Sequence, residues 1–159
     1  MAHRWQSHEL LEEGQSVASA LAQGRFDGYE HRALIVMDID GFREFNKEQG
    51  REKGNLLIKE LWGLILNSIP RNTYALRYGG EEFLIVTDGK ARATEIAQTI
   101  RHSFGDLAAN TPGITLSFGV GELPEHLDVD VLIERFNDIS LAAQHTAKVE
   151  GGNRIIHVD

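Results

Sequence analysis

The chain has 159 residues, about two-fifths of them apolar, which suits one domain around one core. A formal charge of −8 excludes broad binding along a nucleic-acid backbone, but is compatible with a nucleotide site where a bound metal supplies local positive charge. Cysteine is absent, which excludes a disulfide framework and thiolate metal sites. No apolar run approaches the roughly 20 residues needed to cross a bilayer and no signal-peptide core is present, so the expectation is a cytoplasmic protein without membrane insertion by this chain.

Residues 1–30 read as an N-terminal helix and linker, and 31–159 as the main domain. From about residue 6 to 24, Leu10, Leu11, Val17 and Leu21 recur at helical spacing and Gly24 is a stop. This helix either packs on the sheet or serves as a dimerisation and docking element. Arg25 to Glu30 is a loop. The run Ala33-Leu34-Ile35-Val36-Met37 is the most apolar in the chain and reads as a central buried strand. Asp38-Ile39-Asp40 ends that run, at the strand end where open α/β sheets bind ligands. Gly41 to Glu48 reads as a short helix, whose first N–H groups, at Gly41 and Phe42, are free to hold phosphate oxygens.

Arg51 to Ile69 forms a longer helix with an apolar face of Leu56, Leu57, Leu61, Leu64 and Ile65, closed by Pro70. Thr73–Tyr78 and Phe83–Thr87 read as two strands. Gly79 and Gly80 between them read as a tight hairpin, with Glu81 and Glu82 at its tip beside backbone bare enough for a ligand to lie against. A helix over Ala91 to Phe104 follows through Ala93, Ile96, Ala97 and Ile100. Then come a strand at Ile114 to Val120, a long helix over Leu127 to Lys148 ended by Gly151-Gly152, and a final strand at Arg154 to Val158. Helices alternating with strands, plus one hairpin, predict an α/β fold with a single mixed β-sheet flanked by helices. The seven histidines show no metal-ligand spacing; His102 and His145 read as surface or packing residues, and Trp5 and Trp62 as apolar contacts.

If the hairpin strand pairs with the central strand, Asp38, Asp40 and Glu81 converge. Three carboxylates in one place repel each other unless a cation sits among them. Oxygen-only donors point to a hard ion, Mg²⁺ or Mn²⁺, and such sites usually hold nucleotide phosphates. A solvated acidic turn explains the hairpin tip taken alone, but leaves two acidic clusters at matched positions without a reason.

The series Asp38-x-Asp40-x-Phe42-Arg43-x-x-Asn46, Gly50, Gly54 and Arg77-Tyr78-Gly79-Gly80-Glu81-Glu82-Phe83 resembles the GGDEF family of diguanylate cyclases. The resemblance extends through Ser117-Phe118-Gly119-Val120 and Ala147-Lys148 to Gly151-Gly152-Asn153, covering the chain from about residue 31 onward. It implies a palm-like nucleotidyl cyclase fold. It also implies a homodimer in which each protomer binds one nucleoside triphosphate, and the 3′-hydroxyl of one nucleotide attacks the α-phosphate of the other. Asp38, the Ile39 carbonyl and Glu81 would hold two metals, with Glu82 a neighbouring group or proton acceptor, and Asp40 bracing the cluster or capping the next helix. Arg43 and Lys148 would face the triphosphate tail; Lys148 is equally an exposed cation well placed at a helix C-terminus.

Several positions depart from the family pattern. Nine residues after Asn46 the family carries Asp, which pairs with the guanine edge; here Asn55 stands. A carboxylate accepts from both N1–H and N2–H₂ of guanine, whereas an amide offers one acceptor and one donor and so suits adenine. GTP and ATP therefore both remain open as substrates. Products would be cyclic di-GMP, or cyclic di-AMP or a mixed dinucleotide as in the minimal CRISPR-polymerase group. Lys47 replaces a usual acid, Arg51 a usual His, and Gly152 a usual Arg that holds phosphate. A degenerate domain that binds nucleotide or a protein partner without turnover fits these changes. The product-inhibition motif Arg-x-x-Asp is absent, since that place reads Pro70-Arg71-Asn72-Thr73.

Overall fold

Strand β2, Arg32–Asp40, is the axis of the molecule: its five residues Ala33 to Met37 are buried, because helices cover both faces of the sheet here. The computed structural model describes residues 3–4, 32–70, 73–78, 81–125 and 128–158. The expected helix over residues 6–24 and the Gly79-Gly80 tip lie outside these. Around β2 run β1 (His3–Arg4), α1 (Phe42–Gln49), α2 (Arg51–Ser68), β3 (Tyr74–Tyr78), β4 (Glu82–Thr87), α3 (Lys90–Leu107), β5 (Thr115–Leu123), α4 (Val129–Glu150) and β6 (Ile155–Val158).

The strands form one mixed sheet in the order β1-β3-β4-β2-β5-β6. β2 is antiparallel to both β4 and β5, β3 is antiparallel to β4, and β6 runs parallel to β5. One sequence expectation needs correction. The acidic pair does not follow the central strand: β2 runs through Asp38 to Asp40, paired with β4 as far as Asp38 and with β5 to its end. Both neighbours of β2 are antiparallel to it, and its pairing with the hairpin strand β4 brings Asp38 and Glu82 together.

Side-chain alternation divides the core. Ala33, Ile35, Met37 and Ile39 face α2 and α3, packing with Phe83, Ile85, Phe118, Leu61, Ile65, Ile96, Ile100 and Phe104. Leu34 and Val36 face α4, with Leu84, Val86, Leu132, Phe136 and Ile139. The same period of two puts Asp38 and Asp40 on the α4 side. There α4 lies close on β5, since a Cβ at Gly119 would come within 2.6 Å of Ile139. In α2 the buried stripe is Leu57, Ile58, Leu61 and Ile65, while Leu56 is 55% exposed. Of the expected apolar face, Leu57, Leu61 and Ile65 are buried and Leu64 packs against the core, while Ile58 takes the place expected for Leu56, because among consecutive apolar residues periodicity alone cannot choose the side. Ile69 turns extended, as a residue before proline must, and ends α2. Trp62 stacks on Phe83 with ring centroids 6.0 Å apart, an apolar contact as expected.

Candidate functional site

Register places Asp38 opposite Glu82 across β2 and β4, with side chains on one face. Glu81 sits in the turn just before β4. The Asp38 carboxyl is pushed up to about 7, first by burial, then by the charges of Glu81, Glu82 and Asp40, against an opposing hydrogen bond from the Ile39 backbone. Its Oδ1 is buried without a hydrogen-bond partner among the described residues. Glu82 is also raised above its ordinary value, by burial and then by Glu81, while the Ser140 hydroxyl, which donates to its Oε2 at 3.4 Å, lowers it. Gln144 on α4 donates in turn to Ser140 at 3.3 Å.

Such an arrangement is unfavourable without a counter-charge: a desolvated anion faces two more anions and keeps one oxygen unpaired. A hard divalent cation answers all three faults, so the donor set fits Mg²⁺ or Mn²⁺. Among the described residues no three acidic, His or Cys side chains are arranged to hold an ion by themselves. Carbonyl and phosphate oxygens would have to complete the coordination.

Asp40 behaves differently from Asp38. Its Oδ2 accepts from the Thr115 hydroxyl at 2.6 Å and the Asn153 N–H at 2.9 Å, and its Oδ1 accepts from the Ser117 hydroxyl at 2.7 Å. It braces rather than caps: Gly41 occupies the N-cap of α1, with no side-chain cap. That leaves the first turn of α1 without a side-chain cap among the described residues, beside the acidic cluster, with Phe42 buried and Arg43 exposed.

The α1–α2 corner makes a notch. Asn46 Oδ1 is buried with no partner among the described residues, and Gly54 faces it so closely that a Cβ there would run into the Asn46 amide. Asn55, the next residue, is exposed. Lys148 is exposed in the last turn of α4, which ends at Gly151 with φ 88°. His102 and His145 are exposed on α3 and α4. A cleft of about 700 Å³ is lined by Gly41, Glu44, Phe45, Lys53, Asn110 and Gly113; it includes neither Asp38 nor Asn46. Sequence reasoning missed Thr115 and Ser140 as partners of the acids, and Gln144 behind Ser140. Thr115 and Ser117 carried a signal, since both fall on the α4 face of β5 by alternation.

Residues 14–154 match the family model described as "Diguanylate cyclase, GGDEF domain". The diguanylate cyclase DgcS of Shewanella oneidensis is 27% identical over 76% of this chain and 40% of its own length. An uncharacterized membrane protein of Staphylococcus haemolyticus is 28% identical over 82% of this chain and 38% of its own. The chain thus spans about two-fifths of the length of these relatives. The active GGEEF domain of a diguanylate cyclase from Vibrio cholerae superposes with a TM-score of 0.76 at 25% identity, covering 97% of both chains. The GGDEF domain of DgcB from Caulobacter crescentus, in complex with c-di-GMP, gives 0.69 at 25% identity over 89% of this chain and 85% of its own. No helix among the described residues is long and apolar enough to cross a membrane.

Proposed function

The chain belongs to the GGDEF diguanylate cyclase family, and from that premise we propose that it condenses two nucleoside triphosphates into a cyclic dinucleotide with release of pyrophosphate, using GTP to make cyclic di-GMP. The observation that carries this is the buried, unpaired Asp38 oxygen facing Glu81 and Glu82. A structural acidic turn would place its charges in solvent, whereas this one holds them where a cation is needed.

Asp38, Glu81 and the Ile39 carbonyl are the residues to hold the metal, which when bound supplies Lewis acidity toward phosphate and hydroxyl oxygens. The N–H groups at Gly41 and Phe42 receive phosphate oxygens at the uncapped start of α1. Gly79 and Gly80 let the triphosphate lie against bare backbone. Arg43 and Lys148 offset the charge of its tail. Asn46, with an unpaired buried oxygen, takes a donor from the purine edge, and Asn55 meets the same edge from α2. Glu82 is suited to accept the 3′-hydroxyl proton, because burial and Glu81 raise its proton affinity. The 3′-oxygen then forms a bond to the α-phosphorus of the nucleotide on a second protomer, and the bond to pyrophosphate breaks. A homodimer is required, since one protomer holds only one of the two reactants.

Asn55 favours a second reading, ATP or mixed purine use, because an amide offers the adenine edge both a donor and an acceptor. Incubating pure protein with labelled GTP and ATP plus Mg²⁺ separates the possibilities. Cyclic product lost in Glu81→Gln without unfolding supports the cyclase. Nucleotide binding without pyrophosphate release would leave a non-catalytic binding module, the reading favoured by Lys47, Arg51, Asn55 and Gly152.

A further inference from the structure

We infer that Asp40 is a positioning residue that fastens the C-terminal end of α4, and with it Lys148, to the acidic end of β2. This rests on the nucleotide site proposed above. Three of the roughly four acceptor positions of the carboxylate are occupied. The donors are Thr115 and Ser117 on β5 and the Asn153 backbone beyond α4. Their lengths, 2.6 to 2.9 Å, are those of charge-assisted bonds.

The loop so held needs holding. Gly151, Gly152 and Asn153 take φ of 88°, 75° and 55° in succession, and Asn153 is the one non-glycine residue with positive φ among those described. The two glycines take such φ without strain, but Asn153 does so at a cost that its surroundings must offset. The last turn of α4 contributes little packing, since Lys148, Val149 and Glu150 are exposed; the anchoring contacts of Leu132, Phe136 and Ile139 lie turns earlier. An Arg101 contact to the Asn153 carbonyl is longer, at 3.4 Å, and exposed. Gly152 is part of the clasp: a Cβ there would sit 2.5 Å from Asp40 Oδ2, an oxygen already pinned by two donors. A side chain at 152 in this backbone would have to push the Asp40 carboxylate off its donors, and Lys148 is the cation whose aim the loop sets.

The test is a double-mutant cycle on binding of 3′-deoxy-GTP or 3′-deoxy-ATP, which lack the attacking hydroxyl, in Mg²⁺. Asp40→Ala and Lys148→Ala should each weaken binding about tenfold, and the double variant should bind no worse than Lys148→Ala alone. Asp40→Asn should stay within about threefold of wild type, because its amide oxygen still accepts from Asn153 while the two hydroxyls rotate to suit. Hydrogen exchange at the Asn153 amide should speed up in Asp40→Ala and hold in Asp40→Asn. If Asp40→Ala does not fold, Thr115→Val removes one donor with little change of shape and carries the same cycle. Additive losses, or unchanged Asn153 exchange, in a binding-competent protein overturn the inference. A wild type that binds neither nucleotide overturns the cyclase reading instead.

Discussion

Replacing Asp38 with Asn should stabilise the metal-free protein, increasingly as pH rises from about 4 to about 7. The folded carboxyl holds its proton up to about 7, against an ordinary 3.8. Between those values the folded state binds more protons than the unfolded state, so stability falls as pH rises through the window and levels off above it. At about 1.4 kcal/mol per tenfold change, that gap sets a ceiling of about 4 kcal/mol. Solvent reaching the partly exposed group screens it, and about 2 kcal/mol is the expected penalty at pH 8. For a chain of this size that is a Tm difference of roughly 4–8 °C. Thermal melts at pH 5 and pH 8, with chelator and with Mg²⁺, read it directly. Asp38→Asn should melt higher than wild type at pH 8 in chelator, and by less than half as much at pH 5. Mg²⁺ should raise the wild-type Tm at pH 8 and leave the variant unmoved. A variant that melts lower at pH 8, or gains equally from Mg²⁺, would refute the view of Asp38 as a strained cation ligand.

Gly54→Ala should cost about 1–3 kcal/mol, because its methyl enters the space of the Asn46 amide, and should weaken nucleotide binding in a fluorescence titration. Asn55→Asp should move the ratio of GTP to ATP turnover toward GTP by roughly 5- to 150-fold, the yield of one restored guanine hydrogen bond worth about 1–3 kcal/mol; competition assays with both nucleotides measure it. Ser140→Ala removes the hydrogen bond that lowers Glu82, so the Glu82 carboxyl rises further. If Glu82 must be ionised to take a proton, the acid limb of the rate profile shifts to higher pH, with little change in Tm. Leu61→Ala should destabilise by about 2–5 kcal/mol, since Leu61 is wholly buried between α2 and the sheet; urea melts report it while activity at low temperature persists.

What the sequence determined by itself was local and periodic. The apolar run at residues 33–37 dictates a strand buried on both faces, and the spacing of Ala93, Ile96, Ala97 and Ile100 dictates a helix with one face inward, because side-chain direction repeats every 2 or 3.6 residues whatever lies opposite. The motif order was enough to identify the family. Periodicity failed at Leu56, where consecutive apolar residues left the phase free and packing against the sheet decided it. The tertiary structure alone decided which acid is satisfied. Asp38 and Asp40 share a strand, a face and a charge, yet Asp40 is paired with residues 75, 77 and 113 positions away, while Asp38 meets Glu82 and keeps a bare oxygen. Strand register and the path of one loop set those partners, and neither is written in the spacing of nearby residues.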